Sequence, residues 1–340
     1  MSASENIPTR AALLTGFATI YLVWGSTYLG IRVAVETLPP FLMSGARFLV
    51  AGGLIAGWIA LTRGFRPTRR QWIDNAIIGA LLLLGGNGLV SWAEQRIPSG
   101  IATLIVSLGP LFIVLLDWAV LALGRDKTQG TRPTLATFVG VGLGITGLVV
   151  LVGPQLGDGA NHLDPWSVGA LVLACLSWSA GSLYTRYART PAEPFTGAAM
   201  QMLTGSGWLF LVSLLRGEPL HFDPALVSTR SLFAWAYLVA AGSLVGFTTF
   251  VWLMKHSTPA RVSTYAYVNP IVAVFLGWLV LHESISSRIF VGAAVIIAGV
   301  ALITASKNSK VPVAPTPVDR QTVREQRAAA AEVRSAGGGR

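Results

Sequence analysis

The length of its apolar runs decides what this chain can fold into. Runs near residues 11–33, 41–61, 74–93, 99–122, 135–153, 167–185, 195–215, 231–253, 259–281 and 287–305 each approach the ~20 apolar residues that carry an α-helix across a bilayer. Polar residues gather in the short segments between them. Only 12% of the 340 residues are Asp, Glu, Lys or Arg, about half the ~25% usual in a soluble domain, so a water-facing surface could not be covered. The solvent is lipid, and the expected fold is an all-α integral membrane protein with ten transmembrane helices. Prolines mark the divisions: Pro39, Pro40, Pro67, Pro98, Pro133, Pro154, Pro165, Pro191, Pro194, Pro219 and Pro224 fall where a helix should stop or start.

The net charge of +10 reports orientation rather than a nucleic-acid partner, because no segment interleaves a basic patch with exposed aromatics. With the N-terminus inside, the inner loops hold Arg63, Arg66, Arg69 and Arg70, then Arg125, Lys127 and Arg132, then Arg186 and Arg189, then Lys255. The outer loops hold only Arg96, Arg216, Arg230 and Arg288. Basic residues favour the cytoplasmic side, so both termini are expected there, in a bacterial-type inner membrane. The first run follows Arg10 and continues past Trp24 with no A-x-A-like cleavage site, which reads as an uncleaved span. Residues 306–340 turn to Pro, Ala, Arg and Gly and are expected to form a disordered cytoplasmic tail. The single cysteine, Cys175, excludes a disulfide framework and reads as packing.

The chain also repeats itself. Trp24, Arg32, Pro40, Phe41 and Gly53 match Trp178, Arg186, Pro194, Phe195 and Gly207 at one offset. Trp92, Pro110, Trp118 and Leu121 match Trp252, Pro270, Trp278 and Leu281; the FVG at 138–140 and Gly147 match the FVG at 290–292 and Gly299. The expected domains are a cytoplasmic segment 1–10, a five-helix repeat 11–153, a second repeat 167–305 and the tail. Five spans per half is an odd number, so the halves must face opposite ways. Inverted repeats characterise secondary transporters, where exchanging the conformations of two near-equivalent halves converts inward-open into outward-open.

The W-G-S-T-Y at 24–28, Arg47 and Phe48, the P-S-G-I-A-T-L-I at 98–105, and the stretch from Asn269 and Pro270 through L-H-E-S-I-S resemble the EamA branch of the drug/metabolite transporter superfamily. The resemblance covers residues 11–305. It implies ten helices around a central substrate cavity, in a family whose members include exporters of amino acids and other small metabolites. Arg32 stands where many relatives carry Lys, and Gly109 faces Asn269 in the repeat.

Counting from the span ends puts Trp24, Asn87, Pro110, Trp178, Ser243, Asn269 and Pro270 near mid-bilayer. The expected cavity wall comprises these with Thr27, Tyr28, Ser182 and Tyr265. A proline inside a helix frees a carbonyl that water or a solute can satisfy. Asn87, an amide in hydrocarbon, must find a partner. Tyr265 and Tyr267 face different sides of a helix, so one of them at most lines the cavity. Arg47 must snorkel outward or meet a partner such as Glu94, while Glu36 and Glu283 are expected to be solvated. Asp117 either binds protons or pairs with a basic residue on the cytoplasmic side. The GxxxG patterns Gly53–Gly57 and Gly140–Gly144 are expected to pack helices closely.

No H-E-x-x-H, G-x-S-x-G or G-x4-G-K-[ST] occurs, so neither an enzyme, a metal nor a cofactor is called for. The expected function is export of an amino acid or similar amphipathic solute by alternating access, for which a monomer suffices. The alternatives are an ion or solute channel, or a transporter of sugars or drug-like compounds. A wall of aromatics, hydroxyls and amides with few charges suits a neutral or zwitterionic solute better than a phosphate ester.

Overall fold

In a computed structural model, residues 8–122, 135–152, 163–191, 193–257, 259–262 and 264–308 are described, and among them every regular element is helical. We label the long ones α1 (Arg10–Ala34), α2 (Pro40–Thr62), α3 (Arg69–Ala93), α4 (Ser99–Val120), α5 (Leu135–Val152), α6 (Pro165–Tyr184), α7 (Pro194–Leu215), α8 (Thr229–His256), α9 (Tyr265–Leu281) and α10 (Ser287–Asn308). Seven of the described helices, α1–α4 and α6–α8, are long and apolar enough to cross a membrane; shorter apolar stretches lie in α5, α9 and α10. The ninth run was expected to begin at 259, but only a four-residue helix, Pro259–Val262, forms there. Ser257 before it is extended, and α9 starts at Tyr265. α10 runs to Asn308, three residues into the expected tail; the rest of that tail and the basic cluster at Arg125, Lys127 and Arg132 lie outside the described residues.

Local chemistry sets the helix ends. Proline occupies the first turn of α2, α6 and α7, where its missing N–H costs nothing. Asp164 accepts from the N–H groups of Trp166 and Ser167, at 3.4 and 3.2 Å, and Glu193 from those of Phe195 and Thr196, at 3.0 and 2.6 Å. Two caps come from far along the chain. Glu218 takes the N–H groups of Phe41 and Leu42 at the start of α2. Glu283, expected in solvent, instead takes those of Ser99 and Gly100 at the start of α4, at 2.9 and 3.2 Å. A carboxylate is favoured there because four N–H groups and the positive end of the helix dipole lack intrahelical partners.

Helix packing repeats the sequence symmetry. α2 lies along α7, α1 packs on α8 and α9, α6 on α3 and α4, α2 on α8, α7 on α3, and α4 on α9. Exchanging each helix of the first half for its counterpart in the second maps these pairs onto one another. α5 and α10 obey the same rule: Gly147 meets Ile296, while Gly299 meets the backbone of Gly140 and Gly144 so closely that a Cβ there would lie 2.7 Å from a carbonyl oxygen. The Gly53–Gly57 pair is a correction, since both face open space with no atom within 4 Å of a built Cβ. On α2 the close approach is at Gly52, against Met202 and the α7 backbone.

Candidate functional site

Between the halves lies a cavity of about 80 Å3, smaller than the ~300–1,000 Å3 typical of small-molecule sites, so in this state it has room for a few waters and must widen to take a solute. Trp24, Thr27 and Tyr28 of α1, Arg47 of α2, Asn87 of α3, Pro110 of α4, Trp178 of α6, and Tyr265 and Asn269 of α9 line it. Ser182, Ser243, Pro270, Glu94 and Asp117 do not. Pro270 is buried within α9, and Ser243 sits behind the wall, where it accepts the Arg47 Nε–H at 2.8 Å. Asp117 pairs with Arg186 at 2.9 Å.

The wall is framed by two π-helical segments, Ala80–Gly88 in α3 and Leu238–Phe247 in α8. Such segments are rare and gather at functional sites, and here they stand at equivalent places in the two halves. Each admits a tryptophan from the other half. A Cβ on Gly86 would lie 2.7 Å from the Trp178 ring, and one on Gly246 2.7 Å from that of Trp24. The two tryptophans meet edge to face at 5.6 Å, and Phe250 packs 5.0 Å from Trp24 and 5.6 Å from Trp178. Tyr265 stands edge-on to Trp24 at 5.1 Å, whereas the Tyr267 hydroxyl turns away and donates to the Val300 carbonyl.

Side chains tie the wall together near Pro110 and Pro270. α4 breaks just before Pro110 into Ser99–Val106 and Gly109–Ala122. α6 closes the break: the Cys175 thiol donates to the carbonyls of Ile105 and Val106, at 3.4 and 3.7 Å, and the Ser179 hydroxyl to that of Gly109, at 2.9 Å. Cys175 thus lines the cavity and stitches a helix break as well as packing. With its amide assigned so that the nitrogen faces acceptors, Asn269 donates to the carbonyls of Tyr265 and Tyr21, at 3.2 and 3.1 Å. The Thr27 hydroxyl is spent on the carbonyl of Trp24.

Two polar atoms in the wall are left over. Arg47, 2% exposed, neither snorkels outward nor meets Glu94. Nε is held by Ser243, the guanidinium carbon lies 4.8 Å from the Phe48 ring centre, and buried Nη1 has no partner among the described residues. Asn87 Oδ1 is likewise buried without a donor. Both atoms belong to residues that line the cavity, so a cationic and an amide side chain stand among its aromatic residues. Sequence reading missed the π-helical segments, Phe250 and the placing of Arg47; the glycines at 85, 86 and 88 were the available signal for the first.

At opposite ends of the bundle, the repeat-related arginines carry different partners. Arg186 has Asp117, whereas the Arg32 guanidinium donates to the backbone carbonyl of Glu94. Asp117 corresponds to Gly277 in the second half, and there the side chain of Glu283 fills the space, so that a Cβ on Gly277 would collide with its Oε2. Asp74, unremarked in the sequence, joins α3 to α6 by accepting from Tyr184 Oη at 3.0 Å and from the Arg189 N–H at 2.9 Å.

Comparison with known proteins agrees with this architecture. The EamA-like transporter family model matches residues 11–153 and again 165–305. The Escherichia coli K12 protein named "Uncharacterized inner membrane transporter YedA" is 34% identical over 309 residues, covering 90% of this chain and 94% of its own length. Protein PecM of Dickeya dadantii is 30% identical, covering 83% of this chain and 88% of its own length. A crystal structure at 23% identity shares the fold, with a TM-score of 0.61 over 88% of this chain and 99% of that one. With two copies of the family model spanning nearly all of its helical part, this chain belongs to the EamA-like transporter family.

Proposed function

We propose that the protein exports an amphipathic, carboxylate-bearing solute of the amino-acid kind across the inner membrane, by alternating access of this cavity between two inverted five-helix halves. The observation that carries the reading is the pair of polar atoms without partners among the described residues, Arg47 Nη1 and Asn87 Oδ1, in residues of a mainly aromatic and apolar wall. A carboxylate complements the first, an ammonium or N–H the second, and an apolar side chain the tryptophan cage. The exchange symmetry of the helix contacts and the odd number of spans per half support inversion. The bias of basic residues supports cytoplasmic termini, and the name of the Escherichia coli relative supports the inner membrane. Export is carried over from the family resemblance.

Thermal unfolding of the purified protein with amino acids, the matching decarboxylated amines and neutral sugars tests the chemistry. Stabilisation by amino acids but not by their amines is expected. Equal stabilisation by the amines, or by sugars alone, would overturn the assignment of solute class.

A further inference from the structure

Beyond Tyr28, the turn after α3 holds a second polar cluster that binding a solute does not require. Glu94 is 0% exposed, and among the described residues neither carboxylate oxygen has a hydrogen-bond donor. The charged and titratable groups acting on it are Glu283 from the turn after α9, and Arg32 and Tyr28 from α1. Arg96, on the same turn, lies over the Trp92 ring at 5.5 Å, and α2, α4 and α6 bring core residues such as Met43, Ile101 and Leu171. Arg32 spends a guanidinium N–H on the Glu94 backbone carbonyl, and Glu283 is already held by Ser99 and Gly100. At the opposite end one arginine meets one carboxylate, Arg186 and Asp117. Here one arginine serves two, and the surplus acid is shut off from solvent with no donor among the described residues, which disfavours its ionised form.

We propose that Glu94 is a proton-binding site that controls the opening of its end of the bundle: the end closes over the neutral acid and opens with the carboxylate. On opening, water reaches the turn, the carboxyl O–H bond breaks and the proton passes to that water. The carboxylate left behind is then held by water and Arg32. Closing requires a proton back from the same compartment. Burial first, and the Glu283 carboxylate second, push this carboxyl well above the ordinary range, against the pull of Arg32.

The inference rests on the transporter reading only in that this end must open. Two measurements on the full-length protein in lipid need no solute, so their failure is separable from failure of transport. Infrared difference spectra at neutral pH should show the C=O stretch of a protonated carboxyl without hydrogen bonds, lost in Glu94→Gln and kept in Glu283→Gln. Absence of that band from the wild type, or its survival in Glu94→Gln, overturns the proposal. In an Ile97→Cys protein, at a position fully buried in the closed turn, labelling by an impermeant maleimide should rise with pH, after correction against the unfolded protein. Adding Glu94→Gln, a mimic of the neutral acid, should abolish that rise. A pH response unchanged by Glu94→Gln, or a response to sodium in place of protons, overturns it.

Discussion

Replacing Arg47 with Met separates solute recognition from folding. Among the described residues no carboxylate meets this buried guanidinium, and removing such a charge relieves an electrostatic penalty. Against that stands the bond to Ser243 at 2.8 Å, whose loss strands a buried hydroxyl at a cost of about 1 kcal/mol. The two nearly offset, so unfolding of the empty variant should stay close to wild type. A charge-assisted bond to a solute carboxylate is worth about 1.5–3 kcal/mol, and about 1.4 kcal/mol is a factor of ten. Affinity should therefore fall roughly 10- to 150-fold. At a hundredfold excess over the wild-type Kd, a ligand stabilises by about 2.7 kcal/mol; after a hundredfold weakening the same concentration gives only about 0.4 kcal/mol. Melting the two proteins side by side, with and without the amino acid that stabilises wild type most, reads the difference. Arg47→Lys should fall between them, keeping the charge without the planar fork. A variant that keeps the full wild-type increment would show that Arg47 does not touch the solute.

Gly79→Ala should destabilise by about 1–3 kcal/mol, because a Cβ there meets the backbone of Gln201 and Gly205 on α7 at 2.8 Å. Gly53→Ala, facing open space, should be neutral or slightly stabilising; equal melting shifts for the two would refute the packing. Asp164→Ala removes the α6 cap and should cost about 1 kcal/mol, with a pH signature of its own. Chiefly the Ser167 hydroxyl holds this carboxyl below its ordinary value, so the cap's stability is complete above the unfolded pKa, near ~3.9, and is lost as pH falls through the lower folded value. A variant whose acid-side melting curve is the same as wild type removes that cap from the ledger. Single cysteines at Arg66 and Ala225, both exposed, should react with an impermeant maleimide from opposite faces of the membrane; the lone native thiol, Cys175, is buried and adds little background. Labelling of both from one face would refute the topology.

Apolar run length and proline punctuation made the helices legible, because in lipid a long apolar run has almost no other way to satisfy its backbone. The paired tryptophans were legible too: Trp24 and Trp178 repeat at one spacing and do meet across the interface. The partners of polar groups were not. A sequence does not say that Arg47 turns toward Ser243 instead of Glu94, or that Glu283 reaches back to Ser99, since both contacts join segments that only the packed bundle brings together. GxxxG spacing failed at Gly53 and held at Gly140 for a related reason. Small residues permit close approach, but which face of a helix meets a neighbour depends on the other helices. The π-helical segments were hidden because their glycines read equally well as ordinary close packing.

Counterflow measures directly whether one cavity serves both faces of the membrane. Proteoliposomes holding the purified protein and loaded with unlabelled amino acid should accumulate the labelled amino acid transiently against its gradient. That overshoot is expected to shrink in Arg47→Met and in Trp178→Ala, and to be absent for the decarboxylated amine. Entry of label that never overshoots, or an overshoot untouched by both substitutions, would contradict alternating access through this site.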